Sequence, residues 1–360
     1  MSAPAPTQAR IAVIGTGWWA TTVHLPALCR HPRAQLVALA DLRPQSLERA
    51  LAAFGPARGY TDYRQMLAQE ALDGVVIAVN HTAHYAVARD CLQAGLHVLL
   101  EKPMVLHAAQ AHRLLALARR RQRELIIGYP YHYSPVARQA RAIVQSGALG
   151  RIQYVSCQFA SRVIEFYRDN EQAYGPFPVT GPGRAYVDPK LSGGGQGHLQ
   201  VTHAAALMFY ITGLQPDRVS AFMDHWDVPV DLVDAMAVQF RPAAGHAALG
   251  VIGSTGNVGV GGQPRLAIDV YCERGQLALE ATAGVLRVRQ HDGAEQTFGP
   301  PAPGEDYPRE APLNNLVEVI LGRGENESPA SVGVTTVELL EAAYRSAGKH
   351  GRPVRVSSLR

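Results

Sequence analysis

The chain has 360 residues, more than one ordinary domain holds, so two domains are expected. Apolar residues make up 47% and charged residues 18%, which supplies full cores and argues against a disordered chain. The net charge of +4 is spread along the chain with no dense basic stripe, and no apolar run approaches the ~20 residues of a membrane helix. Neither nucleic acid nor a membrane is therefore expected as a partner. Arg119-Arg120-Arg121 with Arg123 reads as the cationic end of a helix. Cys29, Cys91, Cys157 and Cys272 form no CxxC pair, so free thiols in a reducing compartment are expected. The opening MSAPAPTQAR is polar, has no apolar core and no twin arginine, and makes a cytoplasmic location the expectation.

The first element is Ile11-Ala12-Val13-Ile14, an apolar run suited to a parallel strand covered on both faces. It leads into Gly15-Thr16-Gly17-Trp18-Trp19-Ala20, a G-x-G-x-x-A sequence. That spacing is the dinucleotide fingerprint with alanine in its last place. Gly15 permits the tight turn, Gly17 lets backbone amides approach a pyrophosphate, and Ala20 permits close packing of the following helix. A helix is expected over 22–31, irregular because of Pro26. The next strand, 35–40, ends at Asp41. An acid about 20 residues past the fingerprint accepts hydrogen bonds from an adenosine ribose, although a helix N-cap is the plainer use of such an aspartate. A carboxylate there favours NAD, while Arg43 could pair with the 2′-phosphate of NADP.

Helices over 44–54, 63–69, 83–94 and 108–121 alternate with strands over 74–79, 98–100 and 125–127. That rhythm specifies a doubly wound parallel sheet over residues 1–128. Asn80 and His84 fall just past a strand end and are candidates to line the cofactor groove, with helix start or packing as the alternative for His84. The stretch His97–Pro103, HVLLEKP, is a buried strand stopped at Glu101-Lys102-Pro103. Lys102 thus stands at the carboxyl end of a strand, the edge where open α/β sheets bind ligands.

After Gly128 the rhythm changes. Tyr129-Pro-Tyr-His-Tyr-Ser-Pro135 is an aromatic, proline-broken connection followed by a helix over 136–146. Apolar–polar alternation then marks strands over 152–159, 218–222, 235–240, 247–252, 266–272, 276–279 and 285–288, a largely antiparallel sheet within residues 129–360. If its second face is also apolar, that face is a subunit interface. A proline-rich loop over 300–312 and helices over 313–321 and 335–346 close the chain. The informative stretch is Ser192–His203, a glycine run leading into an apolar helix. Gln200 and His203, three apart, share a helix face, and the glycines would admit a bulky neighbour such as a cofactor ring. His198 and His203 are five apart and do not share a face as paired ligands would, so no metal is expected.

The strand–GTGWWA unit at 15–20, the strand–Asp41 unit, HVLLEKP at 97–103 and the glycine run before His203 make the chain resemble the Gfo/Idh/MocA family of NAD(P)-dependent oxidoreductases over nearly its whole length. The resemblance implies an N-terminal Rossmann domain and a C-terminal α/β domain with a large, mostly antiparallel open sheet. It implies binding of NAD or NADP by Gly15, Thr16, Gly17, Trp18, Trp19, Ala20, Asp41, Arg43, Asn80, His84, Glu101 and Lys102. It places Lys102 between nicotinamide and substrate, positioned by Glu101 and by Pro103, often a cis-proline in the family, and makes His203 the general acid/base. The family's aspartate four residues before that histidine is here Leu199, with Gln200 the nearest polar substitute. Tyr131-His132-Tyr133 stands where the family often has an arginine–aromatic pair. Substrates of the family are mostly sugars, cyclitols and related polyols. Candidate substrate contacts are Lys102, Tyr131, His132, Tyr133, Arg162, Tyr186, His198, Gln200 and His203. A homodimer or homotetramer through the open sheet is implied. The expected activity is hydride transfer between NAD(P) and a secondary alcohol or ketone. A redox-neutral, NAD-retaining glycosidase and a non-catalytic NAD(P)-binding regulator are the competing readings.

Overall fold

The computed structural model describes residues 7–55, 58–243 and 245–359; the first six residues of the polar opening stretch lie outside them. The apolar run at the start forms β1 (Ala9–Ile14), buried at every position but Arg10. It is joined by β2 (Ala34–Ala40), β3 (Arg58–Tyr60), β4 (Gly74–Ile77), β5 (His97–Leu100) and β6 (Leu125–Ile127). Among the described residues these make a six-stranded sheet in the order β3-β2-β1-β4-β5-β6, parallel at every pairing. The chain direction across the sheet reverses between β1 and β4, which opens a crevice at their carboxyl ends. Register fixes what stands there. Ala78 N donates to Ile14 O, Glu101 N to Ile77 O and Gly128 N to Leu100 O, so Gly15, Ala78, Glu101 and Gly128 lie side by side along that edge.

The helix expected over 22–31 is a π turn, Ala20–His24, followed by an α-helix, Leu25–Arg30. Pro26 lies in the first turn of that helix, where its missing N–H has no intrahelical partner to lose. The Lys102–Pro103 peptide is cis, as the resemblance implied.

The second sheet comprises β7 (Ile152–Ala160), β8 (Pro216–Asp224), β9 (Val233–Phe240), β10 (Leu249–Thr255), β11 (Arg265–Cys272), β12 (Gly275–Glu280), β13 (Val285–Gln290), β14 (Glu295–Phe298) and β15 (Val354–Arg355). Among the described residues it has nine strands in the order β14-β13-β12-β11-β7-β10-β9-β8-β15, with β7–β10 parallel and the remaining pairs antiparallel. The strands β3, β14 and β15 have no expected counterpart. They are short sheet-edge strands with too few buried positions to give an alternating signal.

One face of this sheet packs on the helices Pro135–Gln145, Thr202–Thr212 and the second half of Ala330–Ala347. The other exposes Tyr154, Phe222, Leu249, Val251 and Tyr271. Two late helices return to the first sheet. Leu313, Leu316 and Val317 of Ala311–Ile320 share a core with Ile11, Val13, Leu39, Val76 and Leu99. Val334 and Val337 of Ala330–Ala347 share the opposite core with Ile14, Ile77 and Leu100, while Leu339, Leu340 and Ala343 enter the core of the second sheet. No described helix is long and apolar enough to cross a membrane, and all four cysteines are free.

Candidate active site

The fingerprint turn is built as its spacing requires. Gly15 has φ +91°, and a Cβ on it would lie 2.4 Å from Ala78 O, so glycine alone fits. A Cβ on Gly17 would meet nothing within 4 Å, which leaves an open cradle above the turn. Thr16 donates from its N and Oγ1 to Asp41 Oδ2, at 2.8 and 3.0 Å, and Arg43 N donates to Asp41 Oδ1 at 2.9 Å. Burial alone would raise the Asp41 pKa, but hydrogen bonds from Arg43 and Thr16 and the charge of Arg43 bring it below the usual range. An ionised acceptor therefore stands beside an open glycine cradle at the switch point, and these residues fit a dinucleotide.

The other residues assigned to the cofactor divide. Trp18 sits in a ring cluster with Phe166, Phe177 and Tyr186, and its Nε1 donates to Tyr186 Oη at 3.1 Å. Trp19 Nε1 donates to Glu101 Oε1 at 2.9 Å. Asn80 is exposed at the head of a short turn, His81–Ala83. His84 is buried with Nδ1 2.7 Å from Pro103 O and Nε2 3.1 Å from Val79 O, and burial lowers its pKa. It braces the loop after β4 against the turn that carries Lys102.

Lys102 crosses the crevice. Its Nζ donates to Leu199 O at 3.1 Å. Position 199, where the resemblance implied an aspartate, thus meets the lysine through its main chain, which any residue supplies. The Leu199 side chain packs instead with Val163, Ile164, Tyr167, Val228, Val230 and Leu232. Residues Gly197–Val201 form a π turn, the kind of local widening often found at functional sites. Burial pulls the Lys102 pKa down to about 8 against the opposing charge of Glu101.

His203 opens the following helix and is 6% exposed. The rings of Tyr129, Tyr131 and Tyr307 stand edge-on to it, with centroids 6.1, 6.1 and 6.3 Å away. Its Nδ1 has no hydrogen-bond partner among the described residues. Burial, then the charges of Lys102 and His132, hold its pKa well below the usual value, so the imidazole is neutral near pH 7.

The remaining candidates spread outward. Tyr131 lies against His203 and Tyr307, and Gln200 is half-buried in the π turn. His132 is fully buried, stacked on Tyr210 at 4.4 Å with Nδ1 2.9 Å from Ser328 Oγ, and burial pushes its pKa down to about 3. Tyr133 Oη donates to Asn315 Oδ1 at 3.0 Å, Arg162 donates to Val260 O at 2.8 Å, and His198 stacks on Tyr344 at 4.5 Å.

The glycine run approaches protein. A Cβ on Gly193 would lie 2.4 Å from Leu106, one on Gly194 or Gly197 would lie 2.4 or 2.6 Å from the Tyr344 hydroxyl, and one on Gly195 would lie 2.2 Å from Asp231 O. The expected bulky neighbour is thus the Tyr344 ring. Asp231 fastens the run by accepting from Gly195 N and Gly197 N, both at 2.7 Å, and from Tyr344 Oη at 2.9 Å.

Three residues at the site carried no assignment from sequence. His81 Nδ1 lies 2.8 Å from Ser192 O and ties the loop after β4 to the glycine run; its place just past a strand end, beside Asn80, was a usable signal. His24 Nε2 lies 2.8 Å from Glu101 Oε1, a partner 77 positions away that no local pattern marks. Asp231 likewise has no local signal. Among the described residues, no group of three or more His, Cys, Asp or Glu side chains is placed to hold a metal.

Comparison with known proteins agrees with this architecture. Residues 9–129 match an oxidoreductase family with an NAD-binding Rossmann fold, and residues 137–278 match the GFO/IDH/MocA C-terminal domain. The chain is 28% identical over 218 residues to 1-carboxy-3-chloro-3,4-dihydroxycyclohexa-1,5-diene dehydrogenase of Comamonas testosteroni, covering 61% of this chain and 51% of that one. It is 30% identical over 161 residues to D-glucoside 3-dehydrogenase of Escherichia coli K12, covering 45% and 46%. The chain thus spans about half the length of these curated relatives, and 39% of an uncharacterised Synechocystis oxidoreductase. In fold it is similar to the WlbA dehydrogenase of Bordetella pertussis, solved with NADH and UDP-GlcNAcA, at TM-score 0.76 and 24% identity over 97% of this chain and 98% of that one.

Proposed function

Because the chain belongs to the Gfo/Idh/MocA family of NAD-binding oxidoreductases, we propose that it transfers a hydride between NAD(P) and the CH–OH carbon of a sugar, cyclitol or related polyol. The observation that carries this reading is Lys102, at the carboxyl end of β5, reaching across to Leu199 O beside a buried, neutral His203. The names of the Escherichia coli and Comamonas testosteroni relatives support a hydroxylated ring as substrate.

A nicotinamide, when bound, supplies the hydride acceptor or donor. The chain's own residues handle the proton. In the oxidising direction the neutral His203 accepts the hydroxyl proton, and the Lys102 ammonium donates a hydrogen bond to the oxygen as negative charge develops on it. In the reducing direction the same groups work in reverse. Tyr131, Tyr186 and Gln200 line the substrate side, and His132 acts from behind through Tyr129, whose ring meets both histidines. Gly15, Thr16, Gly17, Ala20 and Asn80 cradle the dinucleotide, with Trp19, His84 and Glu101 bracing the crevice. Asp41 favours NAD, and Arg43 beside it leaves NADP admissible at lower affinity. Residues 1–128 bind the dinucleotide and residues 129–360 the substrate. The exposed apolar face of the second sheet pairs protomers into a homodimer or homotetramer, and the protein works in the cytoplasm.

The test is NADH or NADPH formation by purified protein with a panel of sugars, inositols and glycosides, with His203→Ala alongside. Turnover in the wild type and a fall of about 10²–10⁴-fold in the variant are expected. Unchanged turnover in His203→Ala would overturn the assignment of the base. Sugar release from a glycoside with no net NADH would replace the dehydrogenase by the redox-neutral glycosidase.

A further inference from the structure

The Glu101 carboxylate is buried next to Lys102 yet does not pair with its ammonium. Oε1 accepts from His24 Nε2 at 2.8 Å and from Trp19 Nε1 at 2.9 Å, and Oε2 accepts from the main-chain N of Lys102 at 3.2 Å. The Lys102 ammonium points the other way, to Leu199 O. His24 is 1% exposed, its Nδ1 has no partner among the described residues, and its Nε2 is directed at the carboxylate. Gly128 leaves the room for this arrangement, since a Cβ there would lie 2.7 Å from Glu101 Oε1. His24 and Trp19 belong to the fingerprint turn and the π turn after it. The segment that shapes the dinucleotide crevice therefore also grips this carboxylate.

We propose that His24 is a positioning residue that, with Trp19, holds the Glu101 carboxylate on the fingerprint side of the strand end and keeps it from pairing with the Lys102 ammonium. The proposal rests on the reading that the Lys102 ammonium donates a hydrogen bond to the substrate oxygen, which an ammonium held by a carboxylate would do poorly. A carboxylate drawn onto Lys102 would favour the charged form and move its titration up, away from neutrality. The titratable groups facing Lys102 are Glu101, His81 and His203. Those facing Glu101 are His24, Lys102, His84, Tyr129, Tyr186 and Tyr307. Burial lowers the pKa of both His81 and His203 well below the usual value, so both are neutral, and Glu101 is the charge that moves Lys102.

The sequence offers a direct readout, because it has three lysines, Lys102, Lys190 and Lys349. Protein grown on lysine labelled with carbon-13 at Cε gives three side-chain signals, and Lys102→Arg identifies the one that titrates low. In His24→Leu that signal is expected to titrate about one unit higher than in the wild type. Trp19→Phe moves it the same way by less. His24→Gln, whose amide can donate to the same oxygen, restores the wild-type value. Glu101→Gln moves the signal down, and adding His24→Leu to that background changes nothing further, since His24 acts through Glu101. An unmoved signal in folded His24→Leu, or an equal shift in the Glu101→Gln background, would overturn the proposal. The titration needs no substrate, so it stands apart from the turnover test: full activity in Lys102→Ala would sink the proposed function and leave the titration result intact.

Discussion

The two walls of the crevice are made by different means. The wall bearing Glu101 and Lys102 is set by sheet register: β1, β4, β5 and β6 end level, and each following residue is hydrogen-bonded to the strand beside it. The wall bearing Leu199 and His203 is not set by strand register. It is held by the Tyr344 ring under Gly194 and Gly197, by Asp231 on two of its amides, and by His81 on Ser192 O. A wall set by register tolerates change in its side chains, because the main chain carries the geometry. A wall set by packing fails when one neighbour changes shape.

That contrast breaks most visibly at the reacting groups. Lys102→Ala is expected to lower turnover by at least about 10²-fold while nucleotide binding, measured by calorimetry, survives, because β5 keeps its register. Equal loss of both would mean that the first wall is not register-set. Next in size is Gly197→Val. Its side chain would drive into the Tyr344 hydroxyl, so the π turn must move and His203 with it. Turnover should fall about as far as in His203→Ala, and Tyr344→Ala in the same chain should recover part of it.

Lys102→Met sharpens the comparison through stability. The folded lysine has its pKa depressed from 10.5 to about 8, so between those values the unfolded chain binds more protons and stability rises with pH. Below pH 8 the buried ammonium costs on the order of 3 kcal/mol, which the methionine removes. The variant should therefore melt higher than the wild type at pH 7, and the gap should close as pH rises toward 10.5. A gap independent of pH would mean that the ammonium is not desolvated in the crevice. The smallest effect on turnover belongs to Leu199→Ala. It removes packing among Val163, Val230 and Leu232 and should cost about 2–4 kcal/mol in denaturant unfolding. It keeps the carbonyl that Lys102 uses, so turnover should stay within about tenfold of wild type at low temperature. A larger loss would assign the leucine side chain a direct part in catalysis.

Legibility in the sequence follows the same division. The parallel sheet, its fingerprint turn and the lysine after β5 were readable because strand, turn and breaker are local signals with fixed spacing. The Asp41 position was readable for the same reason, although its bonds to Thr16 were not. The glycine run was noticed, but the neighbour it admits, Tyr344, comes from the last long helix. The aspartate that the resemblance implies at 199 is a side-chain expectation, whereas the contact there is made by the Leu199 carbonyl, which sequence comparison does not weigh. The resemblance implies a cofactor role for Trp18 through its place in the fingerprint, and the aromatic cluster it joins lies in residues 166–186, with no periodic signal of its own.

The late helices Ala311–Ile320 and Ala330–Ala347 carry a consequence for synthesis. The strands of the parallel sheet emerge from the ribosome first, yet Leu313, Leu316 and Val317, which cover one of its faces, and Val334 and Val337, which close part of the other, emerge last. Until then the nascent sheet has an uncovered apolar strip beside its dinucleotide crevice. A protein truncated before residue 311 would keep its fingerprint while losing the helix that covers the sheet beneath it.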